Sequence, residues 1–378
     1  MTMIRMSMIA ALALCASVFA FCVFPTPVLA QFYEAGKIKP VPEYEISKEE
    51  LLSTTDEFSD MPFGDKYLAY KVRLPKGWTK RPSDVTTNAD ISKKLLGEIA
   101  RYYGPNAPDA RSYLVIQAAE LDYEITAKNW FMNYILSRGY TLQGMTTVSD
   151  KRIEALYVLL DKDQSYVVRT VGEVNGSRMI LTMYFVPEAR WQAEKVLQAN
   201  AMKTFQFDSP EKVRVEQTRT YAFLDLLRFD YPASWRLLAP NIYSIEAMDA
   251  KIVNASDDSI LNGEVDVHVV STELDTTLAE EVKNVQKSLE TKGLVIGKLI
   301  EQPQDYKIHD HVYFSRIEVY MANDPNKELV DYEYWIGVLM EDRYFYIVTM
   351  LTPARSTEFY VWARNTEAFK MLVQSLRP

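Results

Sequence analysis

The chain has 378 residues, enough for two domains, and its 48% hydrophobic and 25% charged residues are typical of a folded protein, not a disordered one. The formal net charge of −9 argues against binding to nucleic acid, which needs a basic surface, and against adsorption to an anionic membrane. Aromatic residues make up 12% of the chain, with 24 tyrosines, and this favours a β-rich fold.

Residues 1–30 have the pattern of a secretory signal peptide. One basic residue, Arg5, precedes an apolar run over residues 8–24, and Val28 and Ala30 stand at −3 and −1 of a cleavage site. The alternative is an uncleaved anchor, although the run is short for a membrane-spanning helix. The pattern predicts a periplasmic protein that has no membrane insertion after signal cleavage.

Both cysteines of the chain, Cys15 and Cys22, lie in this first segment. The mature chain would contain no cysteine. Disulfides, a thiol nucleophile and cysteine metal sites are therefore excluded for the mature protein.

Residues 31–60 are acidic and spaced by prolines, which predicts a solvated linker. Ser47 followed by Glu50 has the spacing of a capping box, so a short helix is expected to start there.

A first folded unit is predicted over residues 61–208. It opens with a strand that ends at Leu74 and is followed by Pro75 and Trp78. The remaining predicted elements are a helix over residues 90–103 closed by Gly104, a buried strand over 112–121, a helix that ends at Gly139, strands over 152–160, 165–174 and 178–186 with an Asn-Gly hairpin turn between the last two, and a helix that opens at Pro187.

A second unit over residues 209–378 repeats this order. Its opening strand leads to Pro232 and Trp235. The remaining predicted elements are a strand over 264–274, an amphipathic helix with a Thr277–Glu280 capping box and a stop at Gly293, strands over about 312–321, 328–339 and 344–351, and a helix that opens at Pro353.

Both the beginnings and the ends of the two units match. "RLPKGWT" parallels "DYPASWR", and "MILTMYFVPEAR" parallels "FYIVTMLTPAR". A shared order of elements with diverged side chains indicates duplication of a whole domain. We interpret the two tryptophans of the opening phrases, Trp78 and Trp235, as core residues; a role in stacking on a ligand is the alternative.

On these motifs, and on "TLAEEVKNVQKSLETKG" and "TAKNWFMNYILSRGY", each unit resembles a domain of the Mog1/PsbP-like superfamily, in its exported bacterial DcrB-like branch. The resemblance covers nearly all of residues 61–378. It implies an α+β fold of two tandem α/β/α sandwich domains, each around an antiparallel sheet. Members of this superfamily are mostly non-enzymatic assembly, adaptor or ligand-binding proteins. The first unit departs from the pattern by an insertion at residues 82–110, and no functional residue of the family carries over.

His309 and His311 are the one place where two imidazoles are close in sequence. On a strand, residues i and i+2 point to the same face, so the pair could share a divalent metal with Asp305 or Asp310. The alternative is an exposed turn that leads into a strand. No other metal site and no cofactor are predicted.

Catalytic constellations are missing from the sequence. It has no G-x-S-x-G motif and no phosphate-binding glycine loop, and the first unit has no histidine. The tyrosine-rich strands near the C-terminus could form a sugar or lipid surface, but their alternation favours sheet packing. The chain is therefore expected not to be an enzyme, with a carboxylate-based hydrolase as a weaker possibility.

Two functional hypotheses remain. The first is an exported, non-enzymatic scaffold or adaptor that contacts an envelope protein complex. The second is a periplasmic protein that binds a small molecule or a divalent metal, in a pocket between sheet and helix or at the histidine pair.

Overall fold

The computed structural model describes residues 38–82, 96–107, 110–210, 213–224, 227–238, 240–255, 261–305, 312, 314–325, 331–341 and 343–377. The signal-peptide segment therefore lies outside the described residues. No helix among these residues is sufficiently long and apolar to cross a membrane.

In the first half, the described residues form three α-helices and ten strands. In chain order they are α1 (Lys48–Thr54), β1 (Thr55–Asp60), β2 (Tyr70–Pro75), β3 (Thr79–Arg81), β4 (Gly97–Tyr103), β5 (Tyr113–Glu120), α2 (Ala127–Arg138), β6 (Thr141–Ser149), β7 (Arg152–Asp161), β8 (Gln164–Asn175), β9 (Arg178–Pro187), α3 (Glu188–Lys203) and β10 (Gln206–Phe207).

In the second half, the described residues form two helices and ten strands. They are β11 (Thr218–Phe223), β12 (Leu227–Pro232), β13 (Arg236–Leu237), β14 (Asn241–Ile242), β15 (Ala247–Ala255), β16 (Leu261–Ser271), α4 (Leu278–Thr291), β17 (Val295–Asp305), β18 (Phe314–Asn323), β19 (Asp331–Met340), β20 (Tyr344–Pro353) and α5 (Phe359–Ser375).

Each half has its own antiparallel sheet, and the two sheets share one strand order. The first sheet runs β3-β4-β5-β9-β8-β7-β6, and the second runs β13-β15-β16-β20-β19-β18-β17, with β14 also paired to β15. Two small sheets, β1-β2-β10 and β11-β12, carry the opening strands. The two main sheets share no strand.

The first sheet lies between two helices. Met183 and Tyr184 are neighbours on β9 and therefore point to opposite faces. On one face, the Tyr134 hydroxyl of α2 lies 3.8 Å from the Met183 sulfur. On the other, Gln198 of α3 donates to the Tyr184 carbonyl at 2.9 Å. The first half is therefore an α/β/α sandwich.

The second sheet is covered in the same way. Val285 and Leu289 of α4 pack in one core cluster with Tyr334 of β19. The next residue, Trp335, points to the opposite face, where its ring centroid lies 5.7 Å from that of Phe369 on α5. The α+β class and the sandwich architecture expected from the sequence are confirmed.

The two halves also touch. The Val215 amide donates to a Glu124 carboxylate oxygen at 2.9 Å, and the Arg364 guanidinium lies 3.2 Å from the centre of the Tyr123 ring. These contacts join the segment before α2 to the start of the second half and to α5.

The repeated opening phrase has a structural role in both halves. Trp78 is 7% exposed and packs edge-on against Tyr184, with ring centroids 4.9 Å apart. Trp235 is 3% exposed. Both rings belong to the cores, as the sequence predicted.

The helix predicted over residues 90–103 is wrong for its described part. Residues 97–103 form strand β4, which pairs with β5. Buried and half-buried positions alternate on both sides of a register shift between Glu98 and Ala100. The shift leaves Ile99 and Ala100 buried side by side, which gives the sequence a helix-like spacing. Pairing with β5 outweighs the local helical preference.

The last helix does not open at Pro353. Strand β20 continues to Pro353, and the Ala354 amide donates to the Asp331 carbonyl, which prolongs the pairing with β19. A turn follows, in which the Thr357 amide donates to the Ala354 carbonyl, and α5 begins at Phe359. In the first half, by contrast, α3 begins directly after Pro187.

Residues 39–44, here called the strap, lie in the stretch for which the sequence predicted a solvated linker. The Lys39 carbonyl accepts from the Met145 amide of β6, and Val41 packs against Leu156 and Val167. Both terminal nitrogens of buried Arg169 donate to the Pro42 carbonyl, at 3.1 and 3.0 Å. The strap is therefore part of the first half. The expected short helix is present as α1, and the Ser47 side chain accepts from the Glu50 amide.

Candidate binding groove

An open groove of about 460 Å³ lies on the α2 side of the first sheet. Tyr113, Val115 and Gln117 of β5 form its floor, since alternate residues of a strand share a face. Met183 and Phe185 of β9 extend this floor. Among the described residues, α2 packs on β6, β7 and β8, and no helix packs closely on β4 and β5 at this face.

The end of α2 sets the length of the groove. Thr126 caps the helix start by accepting from the Asn129 amide. Gly139 stops the helix in the left-handed conformation, at φ 65°. The last helical residue, Arg138, and the following Tyr140 both line the groove.

Four aromatic rings line the groove, those of Tyr113, Tyr134, Tyr140 and Phe185. Tyr113 stacks on Phe185 with ring centroids 4.4 Å apart and an interplanar angle of 10°. Tyr166 meets Tyr113 edge-on at 5.6 Å, and Tyr134 meets Tyr140 edge-on at 5.8 Å. Such a surface binds the faces of rings and the apolar parts of a ligand.

The hydroxyls of Tyr134 and Tyr113 stay protonated at neutral pH. Burial, with a smaller contribution from Tyr140, raises the pKa of Tyr134 to about 12. Burial also raises the pKa of Tyr113, and the neighbouring Tyr166 adds to the effect. Both groups are therefore hydrogen-bond donors toward an acceptor on a ligand.

Two arginines line the groove, and they differ in their partners. Arg101 of β4 forms a bidentate pair with Glu98, at 2.8 and 2.5 Å, and this pairing raises the pKa of Arg101. Arg138 is exposed and lies over the Tyr134 ring at 5.7 Å. It has no ion pair with any of the described residues.

Further charges surround these two. Arg81 and Arg111 lie over the Tyr103 ring, at 4.7 and 3.8 Å from its centre. Asp161, at the end of β7, contributes one exposed carboxylate to the lining. The groove and its rim are thus locally basic on a chain of net charge −9.

The predicted metal ligands His309 and His311 lie outside the described residues. The third histidine, His268, is on β16, and its Nδ1 lies 2.6 Å from an Asp249 carboxylate oxygen across the strand pair. In the described parts of the chain, no group of three or more His, Cys, Asp or Glu side chains could hold a metal ion.

The sequence offered a pocket between sheet and helix as a possibility, but it did not identify the residues. Gln117, a polar residue inside an apolar run, and Arg138, directly before a helix-stopping glycine, were the available signals. Neither signal reveals that α2 leaves part of the sheet uncovered.

A buried carboxylate in the second half was also missed. Glu333 is 0% exposed and accepts from Nε and Nη2 of Arg355 at 2.6 and 2.8 Å. The indole nitrogens of Trp335 and Trp362 donate to it at 3.1 and 2.8 Å. Burial opposes the charge of Arg355, but Glu333 and Glu301 outweigh it and raise the pKa of this arginine.

The chain matches no family model and no curated protein. Among solved structures it is similar to cyanobacterial PsbP from Synechocystis, with 17% identity, 44% of this chain and 99% of that chain covered, and a TM-score of 0.30. It is also similar to the Ran-binding protein Mog1p of Saccharomyces cerevisiae, with 10% identity, 43% and 95% coverage and a TM-score of 0.31. The immunity protein TplEi of Pseudomonas aeruginosa aligns over 82% of this chain and 94% of its own, with 10% identity and a TM-score of 0.22.

Proposed function

We propose that the protein is a non-enzymatic adaptor of the bacterial cell envelope, exported to the periplasm, and that it acts by binding another protein. The observation that carries this proposal is the groove: an open sheet face lined by tyrosines and flanked by arginines. Tyrosine and arginine are the residue types enriched where proteins bind one another. The charged start, apolar middle and small-residue exit of residues 1–30 support export.

We further propose that the two halves are tandem copies of one ancestral domain. Their sheets have the same strand order, and each half places one helix after its third main strand and one at its end. Independent origin would have to reproduce the seven-strand order as well as both crossovers. Adaptor function then belongs to the copy that keeps an open groove.

The adaptor proposal can be tested by photo-crosslinking in cells. Benzoylphenylalanine placed at Tyr140, in the groove, should form an adduct with one definite envelope protein. The matched control is Tyr243, which is 68% exposed in the second half and should give no such adduct. Equal adducts from both positions, or none from Tyr140, would contradict the proposal.

The second candidate function is binding of a small molecule. The volume of the groove, about 460 Å³, lies in the range of small-molecule sites. Native mass spectrometry of protein isolated from the envelope would reveal a retained ligand. A single retained mass that is lost when Tyr140 is replaced by Trp would favour this function over the adaptor.

The divalent-metal version of this candidate rests on His309 and His311 alone. Zinc or manganese bound per chain should fall when both histidines are replaced by alanine. Unchanged metal content in the double variant would eliminate the version.

A further inference from the structure

The two prolines that end the central strands align the two halves residue by residue. Pro187 ends β9 and Pro353 ends β20, and these strands hold the same position in their sheets. Counting back two residues from each proline makes Phe185 of the first half equivalent to Leu351 of the second.

The strand pairing extends this equivalence to the floor of the groove. Tyr113 lies opposite Phe185 on β5, and Glu264 lies opposite Leu351 on β16. Tyr113 and Glu264 therefore occupy the same position in the two halves. The next residues on the same face, Val115 and Asp266, are equivalent too.

The cations of the groove have equivalents as well. Arg101 lies opposite Val115, and Lys251 lies opposite Asp266. In each half the helix between the third and fourth main strands is followed by a glycine at positive φ, Gly139 at 65° and Gly293 at 76°. The residues directly before these glycines are Arg138 and Lys292, so both cations are kept in both halves.

In the second half, these positions form a closed ionic quartet, made of Lys251, Lys292, Glu264 and Asp266. Lys251 lies 3.0 Å from Asp266 and 3.4 Å from Glu264. Lys292 pairs with Glu264 and lies 3.7 Å from Asp266. Glu264 is only 7% exposed, so the quartet places a buried carboxylate at the position that Tyr113 takes in the first half.

In the first half, both cations are present and both carboxylates are gone. Tyr113 and Val115 stand in place of Glu264 and Asp266, and the groove lies where the quartet would be. Glu98 neutralises Arg101 from the same strand. Arg138 is left with its charge facing the groove opening and no carboxylate partner among the described residues.

We propose that the groove binds a carboxylate side chain carried by an extended acidic segment of a protein partner, and that this carboxylate pairs with Arg138 in the place that Glu264 takes in the second half. The inference rests on the proposed adaptor function and deepens it by naming the chemistry of the partner. A guanidinium pairs with a carboxylate in a bidentate geometry. The tyrosine wall accepts the apolar neighbours of the acidic residue.

An extended segment suits the spacing of the vanished carboxylates. Glu264 and Asp266 are two residues apart on one strand, so a peptide with acids at i and i+2 presents both to one face. The rim arginines Arg81 and Arg111 add positive charge around the opening and favour an acidic partner over a neutral one.

The test uses a fluorescently labelled peptide Glu-Val-Asp-Val, which carries the acids at this spacing, and the full mature chain. Fluorescence anisotropy should show saturable binding that weakens as salt is added. The Arg138→Gln variant should bind at least roughly tenfold more weakly, because a charge-assisted hydrogen bond is lost. The amide peptide Gln-Val-Asn-Val should bind the unaltered protein as weakly as the acidic peptide binds the Arg138→Gln variant.

Two matched controls accompany this variant. Arg236→Gln removes an exposed arginine in the second half and should leave the affinity unchanged. Tyr113→Glu restores the carboxylate of the second half and should block binding from within. Tyr113→Gln, which removes the same ring without adding charge, should retain a response to the Arg138→Gln change.

The outcomes separate this inference from the adaptor function itself. A groove-specific adduct in cells, together with a peptide affinity that Arg138→Gln does not change, would overturn the inference. The proposed adaptor function would not be affected by that result. If free glutarate binds in a way that depends on Arg138 and the peptide does not bind, the ligand is a small carboxylate and the inference of a protein segment is wrong. Peptide binding that Tyr113→Glu does not reduce would also contradict the inference.

Discussion

Glu333 is a single carboxylate that ties three parts of the second half together. It lies on β19, next to the central strand β20, and its partners come from the same strand, from the turn after β20 and from α5. Both of its oxygens accept hydrogen bonds, so the buried charge is satisfied. The contact fixes where α5 begins relative to the sheet.

We predict that Glu333→Gln lowers the free energy of unfolding by about 3–5 kcal/mol, because it leaves the Arg355 guanidinium without its main counter-charge in a buried site. Urea unfolding, followed by tryptophan fluorescence, measures the loss. The fluorescence should also report the change directly, since Trp335 and Trp362 donate to the altered group.

The control for Glu333→Gln is the second carboxylate on the same arginine. Glu301 lies 2.5 Å from Arg355, but its side chain is 32% exposed. Glu301→Gln should therefore cost less than about 1 kcal/mol. Similar losses for the two variants would show that burial of Glu333 is not the source of its effect.

The alternation of β19 was readable from the sequence, and it correctly put Glu333 and Trp335 on the face opposite Tyr334. It could not show that this face is covered. From the sequence alone, a glutamate between tyrosines is expected to be solvated, because the helix that buries it is far away in the chain. The sequence also predicts a start at Pro353 for that helix, six residues before the observed start at Phe359.

At the scale of elements, the strap is the clearest case of a segment whose composition misleads. Its prolines and charges describe a linker, yet only Val41 is apolar enough to be buried, at 5% exposed. Most of its other contacts go through backbone carbonyls, which every residue type supplies. Composition carries no record of such contacts.

We predict that Val41→Asp destabilises the first half by several kcal/mol, roughly 3, because it puts an unpaired charge between Leu156 and Val167. Hydrogen exchange at the Met145 amide, which donates to the Lys39 carbonyl, should become faster as the strap detaches. Thermal unfolding gives the loss for the whole chain.

Lys39→Ala is the matched control, since its side chain is exposed and its carbonyl is retained. Stability should stay within about 0.5 kcal/mol of the unaltered protein. Protection at Met145 that survives Val41→Asp would mean that the strap is held by other contacts.

Strand β4, which the sequence predicts as a helix, is a second case in which the local pattern misleads. In β4, a bulge breaks the period of two that marks a strand. Elements without such interruptions, such as β9, α2 and α4, were predicted close to their observed bounds.

At the scale of the whole molecule, buried tyrosines tie stability to alkaline pH. Burial raises the pKa of Tyr102 and of Tyr320 to about 12, and it raises the pKa of Tyr70, Tyr157 and Tyr184 as well. In the unfolded chain these groups lose their protons near about pH 10. Above that pH the unfolded state binds fewer protons than the folded state, so stability falls as pH rises.

We predict that the urea midpoint is nearly constant from about pH 8 to about pH 9.5 and then drops steeply toward about pH 11. Each tyrosine that stays protonated in the fold contributes a slope of about 1.4 kcal/mol per pH unit above its unfolded pKa. Absorbance at about 295 nm, which follows tyrosinate, should rise together with unfolding.

Tyr70→Phe is the control for this pH dependence. Its hydroxyl lies 2.7 Å from that of Tyr102, and the variant removes one titrating group from the fold. The variant should be less stable at neutral pH but show a shallower decline above about pH 10. A midpoint that does not change up to about pH 11 would contradict the prediction.

Many elements could be predicted from the sequence because strands, caps and stops are local signals, but strands β6, β15 and β17 were not predicted. Pro187, Gly139 and Gly293 mark boundaries that the structure confirms. The groove could not be predicted in this way. It depends on which strands α2 covers and on how Tyr113 and Arg138 meet, and these are relations between residues far apart in the chain.

The ionic quartet of the second half affects the number of ligands that one chain can bind. A chain with two similar halves would be expected to bind two ligands. In the second half, however, Lys251, Lys292, Glu264 and Asp266 pair with one another at the equivalent site. Saturation should therefore stop at one equivalent per polypeptide. Replacing Glu264 and Asp266 with the tyrosine and valine of the first half should raise that limit to two.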